Sequence, residues 1–274
     1  MKSKDGFLPP DAQCMGISRL YHYQAFNEVR LRSILQENQI YFSNPADFND
    51  PWDCRPWYAV PGTDRERRDL IAKLKTAHQK RFPNRTRVER RKAAKSLLGT
   101  PTLLKSEIEK LSTSMWTQMQ NRYRVYCLTE NPVCPLMWGH YADHHRGVCL
   151  EFDASNEIVG AAMKVEYCKE YPTFNFFDGY ELLPFVAKSH HWNYEREFRL
   201  VSEEIGAALS AATLKTRNGI FDLPANSIKS IIVGSEASIE THKIVRDLAT
   251  ELDGSVSVVR AVRSADKYEL RIDK

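Results

Sequence analysis

The chain predicts an α+β fold: a mixed, mostly antiparallel sheet core interrupted by an inserted basic helical subdomain. Two observations carry this expectation. Short runs rich in β-branched and aromatic residues lie near both ends of the chain, and the stretch from Asp64 to about Tyr123 reads as helix throughout. At 274 residues the chain is read as one α+β domain over 1–274, with a helical insertion at about 64–123.

Taken in order, residues 16–23 form the first expected strand. Asn27 is placed to cap a helix from Glu28 to about Asn38, with Val29, Leu31, Ile34 and Leu35 as its apolar stripe. Ile40 to Phe42 reads as a short strand. Ser43 to Asp53 contains two prolines and several turn formers, which predicts a loop. Pro83 and Gly99-Thr100-Pro101 divide the helical stretch into three helices. Strands are expected at 123–128, 147–152, 163–167, 197–202 and 228–233, then a helix at 238–252 and a last strand at 256–262.

Composition excludes some classes. The 42% hydrophobic and 27% charged shares are those of a soluble globular protein. No apolar run is long enough to cross a bilayer, and Met1 to Pro10 has no signal-peptide core, so a cytoplasmic protein without a membrane partner is expected. The six cysteines form no Cys-x-x-Cys pair and are expected as free thiols, with Cys127 and Cys149 in strands. The net charge of +4 is uneven: Asp64 to Lys95 holds thirteen Lys/Arg against four Asp/Glu. A basic segment at 65–95 suits nucleic acid or another polyanion. It equally suits two solvated helices, because Phe82 is its one aromatic residue and offers little base stacking.

Three segments hold chemistry. Trp192 to Leu200 reads Trp-Asn-Tyr-Glu-Arg-Glu-Phe-Arg-Leu. On a strand, Glu195, Glu197 and Arg199 share one face, while Tyr194, Phe198 and Leu200 lie on the other. Charges on a buried strand cost desolvation energy unless paired, so this is either a site or a salt-bridge ladder. The second segment holds Trp138, His140, Tyr141, Asp143 and His144. His140 and His144, one helical turn apart, suit a metal with Asp143, His190 or His191 as third ligand, but the metalloprotease Glu is missing and no metal site is predicted. Trp138, His140 and Tyr141 also suit a pocket for an aromatic ligand, or plain packing. In the third, Asp50 and Asp53 suit a cation, a ribose or a base, while Asn49 and Asp50 equally suit turn stabilisation through side-chain to backbone bonds; Asn49 and Asp50 are kept as candidate binding residues. Trp52 and Trp57 read as core or pocket wall.

The chain resembles the microbial domain-of-unknown-function family 2971. The likeness rests on Tyr21-His22-Tyr23, Ile34-Leu35, Ile40 to Ser43, Phe48 to Asp53, Cys127 to Glu130, Met137 to Ala142, Gly147 to Phe152 and Tyr194 to Arg199. It spans most of the chain outside the basic insert and the first dozen residues.

The order of a strand with His22, the Ile34-Leu35 helix, a strand ending at Ser43 and a later Glu195-x-Glu197 is also similar to the ADP-ribosyltransferase superfamily. That resemblance implies an NAD-using transferase or glycohydrolase, of the kind found in toxins and phage defence. It implies that His22 holds the NAD ribose and Ser43 lines the nicotinamide pocket. Glu197 would stabilise the oxocarbenium-like charge, with Glu195 completing the Glu-x-Glu. The superfamily's Ser-Thr-Ser and Gly-Thr strings are absent, and Tyr23 follows the His where a small residue is often found. Nicotinamide would stack on Tyr141 or Trp138, and Arg199 would hold Glu197 ionised or bind a pyrophosphate oxygen. Two other readings stand beside this one: a nucleic-acid module using the basic insert, and a non-catalytic interaction protein.

Overall fold

The computed structural model of the chain describes residues 9–59, 62–81, 83–174, 182–206, 214–252 and 255–273. Met1 to Leu8 and Phe82 lie outside the described residues. The chain begins with β1 (Arg19–Gln24), α1 (Glu28–Gln36), β2 (Gln39–Tyr41) and β3 (Trp57–Tyr58). The insertion follows as α2 (Asp64–Arg81), α3 (Arg87–Gly99) and α4 (Pro101–Arg122), broken at Pro83 and at the Gly99-Thr100-Pro101 stop. Then come β4 (Tyr123–Thr129), α5 (Pro135–Tyr141), β5 (Val148–Asp153), α6 (Glu157–Gly160), β6 (Met163–Lys164), β7 (Glu166–Cys168), β8 (Thr173–Phe174) and β9 (Ala187–Ser189). The rest is β10 (Glu197–Glu204), β11 (Leu214–Thr216), β12 (Ile220–Asp222), β13 (Ile228–Val233), α7 (Ile239–Thr250), β14 (Ser257–Arg263) and β15 (Leu270–Asp273).

Among the described residues, nine strands form one sheet in the order β11-β10-β4-β1-β5-β13-β14-β15, with β6 on the outer edge of β10. Pairing is antiparallel except at β10/β11 and β13/β14. The α+β expectation is therefore met, with a mixed and mostly antiparallel sheet as the core.

The sheet has two differently used faces. On one, Leu20, Leu150, Phe152, Tyr126, Leu128, Phe198 and Leu200 pack under α1 and α7. Alternation sends the residues between them to the other face, where α5 and the α4 end of the insertion lie. Asn27 caps α1 by accepting from the Arg30 amide at 2.9 Å, and Leu31, Ile34 and Leu35 are buried. Val29, expected in that stripe, is 79% exposed, because α1 turns its first-turn apolar residue to solvent. The insertion is anchored where Leu70, Leu104 and Ile108 pack on Tyr58 of β3, with Phe174 of β8 against them.

Candidate active site

Five ionisable side chains meet on the α5 face of the sheet, between two apolar clusters. Asp53, Lys188, Glu195, Glu197 and Arg199 are all buried, none more than 6% exposed. They come from four local devices. β10 supplies Glu197 and Arg199 from one face, opposite Thr129 and Cys127 of β4. The short β9 supplies Lys188, and the loop after Asn49 supplies Asp53.

Glu195 is not on the strand, contrary to the alternation expected from the sequence. Residues His190–Glu195 form a 3-10 helix, and Arg196 closes it in the left-handed region at φ 45°. For a non-glycine residue that conformation costs roughly 1–2 kcal/mol. The turn returns Glu195 toward Glu197, so the pair converges by a different route. Thr129 Oγ1 donates to the Glu195 carbonyl at 2.5 Å and fixes the junction. Phe198 and Leu200 lie on the opposite face as expected, but Tyr194, being off the strand, packs with the α5 cluster.

The pentad is hydrogen-bonded throughout. Arg199 holds Asp53 with two parallel bonds of 2.8 and 2.6 Å, and Glu197 with bonds of 2.7 and 2.9 Å. It also donates to the Phe185 carbonyl at 2.8 Å. Lys188 Nζ lies 2.5 Å from Glu195, 3.1 Å from Glu197 and 3.5 Å from Asp53. Its ammonium sits 5.1 Å from the Trp192 ring centre, a cation–π contact. Tyr141 donates to the other Glu195 oxygen at 2.6 Å.

Electrostatics separate the two glutamates. Burial and the neighbouring Glu197 charge push Glu195 up, against the pull of Lys188, to about 7. Burial acts on Glu197 in the same sense, but Arg199 and Lys188 overcome it and hold Glu197 well below the ordinary carboxylate range. Burial disfavours the Lys188 charge, yet Glu197, Asp53 and Glu195 together raise it above the usual lysine value. Paired carboxyls driven apart in this way are suited to distinct acid–base roles. Arg199 pairs with Glu197 and pulls its carboxyl below the ordinary range. At 0% exposure it has no reach to a pyrophosphate.

A cavity of about 290 Å³ opens beside the pentad. Asp53 and Lys188 line it and also belong to the pentad. Trp52 and Arg55 from the same loop, and Lys169 and Tyr171 from the segment after β7, form another part of its wall. Phe174, Pro184 and Ala187 give an apolar side, and His191 and Glu170 complete the polar one. Tyr171 ties the segments together by donating to the Arg55 carbonyl at 2.6 Å.

Other expected site residues lie elsewhere. His22 is on the opposite face of the sheet from Glu197: it stacks on Tyr126 at 4.3 Å and bonds through Nδ1 to the Cys127 carbonyl at 2.7 Å. Loss of water around the ring lowers its pKa to about 4. Tyr21 pairs with Thr129, so strand alternation turns the next residue away from the pentad. Ser43 is bonded through its backbone to Val125 at 2.8 and 2.9 Å. That is four residues along β4 from Thr129, the partner of Glu197, or about 13 Å.

Trp138 is wholly buried, edge-on to Tyr23, with its indole N–H bonded to the Pro132 carbonyl at 3.0 Å. It is core, not a stacking platform. His140 is exposed, with its ring edge toward Trp192. Asn49 is exposed, and Asp50 accepts from the Trp52 amide at 2.9 Å, a turn-stabilising role. Only Tyr141 of the aromatic candidates touches the pentad directly through a hydrogen bond, at Glu195.

α5 ends at Tyr141, and Asp143, His144 and His145 follow in the left-handed region at φ 45°, 53° and 68°. The one-turn helical spacing of His140 and His144 therefore does not form. Among the described residues no group of three or more His, Cys, Asp or Glu is placed to hold a metal ion. All six cysteines are free thiols, as expected.

Lys188 was not singled out in the sequence, although it offered a signal: it directly follows the apolar run Pro184-Phe185-Val186-Ala187. Of the two aspartates that suit a ligand in the sequence, Asp53 joins the pentad while Asp50 holds a turn.

No described helix is long and apolar enough to cross a membrane. No curated protein and no solved structure matches the chain. Residues 137–200 match the model of a family described as a protein of unknown function (DUF2971), a segment that takes in α5, β5, Lys188 and the Glu195–Arg199 run but stops short of His22, Ser43 and Asp53.

Proposed function

We propose that the chain is an enzyme that uses a nucleotide of the NAD type and breaks its N-glycosidic bond, as transferases and glycohydrolases of the ADP-ribosyl kind do. The observation that supports this most is that Lys188, which lines the cavity beside Asp53, bonds a buried carboxyl, Glu195, held near neutrality.

Cleaving the bond sends its electron pair away with nicotinamide and leaves positive charge on the ribose. A fixed negative field close to that carbon lowers the barrier. With Glu195 ionised the pentad holds three carboxylates against two cations, a net charge of −1. Asp53 is the pentad's carboxylate at the cavity wall and takes the stabilising role that the resemblance gave to Glu197. Glu197 and Arg199 position Asp53, and Glu195 sets the charge through its proton. The apolar wall of Phe174, Pro184 and Ala187 suits a flat ring, while Arg55 and Lys169 suit phosphate. His22, Ser43 and Trp138 have no part in this reading.

The test is chromatographic detection of nicotinamide released from NAD. Turnover is expected in the wild type, with a raised KM in Arg55→Ala and loss of kcat in Asp53→Asn and Lys188→Met, each checked for folding by circular dichroism. Absence of turnover with NAD and with other nucleotides would refute the proposal.

A further inference from the structure

We infer that the outer surface joining the basic insertion to the cavity rim binds single-stranded nucleic acid. The sequence alone set a basic segment without aromatic partners; the fold supplies those partners from outside the segment. Trp52 is 64% exposed and Trp57 44%, unusual for the largest apolar side chain, and Tyr171 beside Trp52 is 39% exposed. Trp57 and Tyr171 flank the contact that anchors the insertion, and Tyr171 Oη lies 3.5 Å from the Trp52 carbonyl. Tyr58, next to Trp57, packs on Leu70 of α2 and on Leu104 and Ile108 of α4. β3 pairs with β8 there, which begins two residues after Tyr171.

The helices that rise from this anchor are basic. The side chains of Arg65 and Arg68 on α2, and Arg87, Arg91 and Lys92 on α3, are exposed. α2 and α3 lie against each other, so these cations share one elaboration. Glu66, Asp69 and Glu89 lie among them, but the excess over 64–95 is nine positive charges. A cationic track that follows a phosphate backbone, ending on exposed aromatic rings, is the general design for holding unpaired strands. A duplex hides its base faces and has no use for the rings. A protein partner would need apolar burial, and among the described side chains of α2 and α3 Val88 is the one large exposed hydrophobic.

The inference does not depend on NAD turnover, and its test reads binding alone. Fluorescein-labelled single strands of mixed sequence, one DNA and one RNA, are titrated with the full chain while anisotropy is read, with a DNA hairpin and inorganic polyphosphate as comparison probes. Either single strand should bind more tightly than both comparison probes. Trp52→Ala and Trp57→Ala should each weaken single-strand binding about tenfold, within the range for losing one stacked base. Both side chains are exposed, so folding should survive, and unchanged melting temperatures check this. Neutralising Arg87, Arg91 and Lys92 to Gln should flatten the log–log salt dependence by about 2. Lack of binding at low salt overturns the inference. So does binding that polyphosphate matches and the tryptophan changes leave untouched, since that is charge attraction alone. Strand binding without NAD turnover leaves this surface standing and removes the proposed activity; turnover without strand binding does the reverse.

Discussion

Glu195→Gln probes the pentad most directly. The side chain is buried, Tyr141 donates to one oxygen and Lys188 to the other, and its carboxyl titrates at about 7 rather than at 4.5. In the folded chain it therefore keeps its proton through a window in which the unfolded chain has lost it. Where the folded state binds more protons, stability falls as pH rises. The contribution is most favourable below about pH 4.5, declines through the window, and levels off above about pH 7. At 1.36 kcal/mol for each pH unit, ionising this group costs the folded chain about 3 kcal/mol. Glutamine has the shape of the protonated acid and does not titrate. The variant should match wild type near pH 4.5 and exceed it by about 3 kcal/mol near pH 8. Urea unfolding of both proteins across that range measures the difference. A difference that stays constant with pH would refute the coupling of Glu195 to the buried charges. The same carboxyl governs the proposed field, so kcat for nicotinamide release should rise with pH through about 7 in wild type and lose that rise in Glu195→Gln.

Arg199→Met leaves Asp53, Glu195 and Glu197 facing Lys188 alone, and should lower stability by about 3–5 kcal/mol in chemical denaturation. His22→Asn should leave nicotinamide release unchanged, because the sheet lies between His22 and Glu197. It should also soften acid unfolding: the wild-type ring titrates at about 4 in the folded chain against 6.5 unfolded, so its contribution is full above 6.5 and is lost as pH falls toward 4. Trp138→Ala should cost about 3–5 kcal/mol by urea midpoint, without a KM change of its own in the fraction that remains folded.

The elements with strong local signals were legible. The proline and glycine stops cut the insertion into α2, α3 and α4, and β13 follows its Ile/Val run. The short edge pieces β3, β8, β9, β11 and β12 were not, because each spans only two or three residues and its pairing is set by distant chain. The site shows the same division. The Glu195–Arg199 run announced buried charge, and burial followed. Its partners Asp53 and Lys188 lie 146 and 11 residues from Arg199 and are brought to it by the tertiary fold, which no local pattern records. The phase of His22 was readable, since it opposes Tyr21 and Tyr23 on the strand. What could not be read was which face of β1 meets the β10 carboxylates, a matter of register between strands joined through β4. Gly234 illustrates the point at one position: an added Cβ would collide with the His145 carbonyl, a close approach of remote segments that follows only from the assembled sheet.

The pentad's charge count argues that it is more than a rivet between two apolar clusters. Buried ion pairs are poor sources of net stability, since hydrocarbon of similar shape would often do as well or better. A network kept for packing would balance its charges. Asp53 and Glu197 already balance Arg199 and Lys188, so four side chains close the account without Glu195. The fifth group is brought in by a 3-10 turn closed by a non-glycine left-handed residue, and its ionisation is costly. Removing that carboxylate should therefore improve stability at neutral pH while harming the chemistry at the cavity, the opposing pair of effects expected of a group retained for function. A Glu195→Gln protein less stable than wild type at pH 8, or equally active, would break that argument.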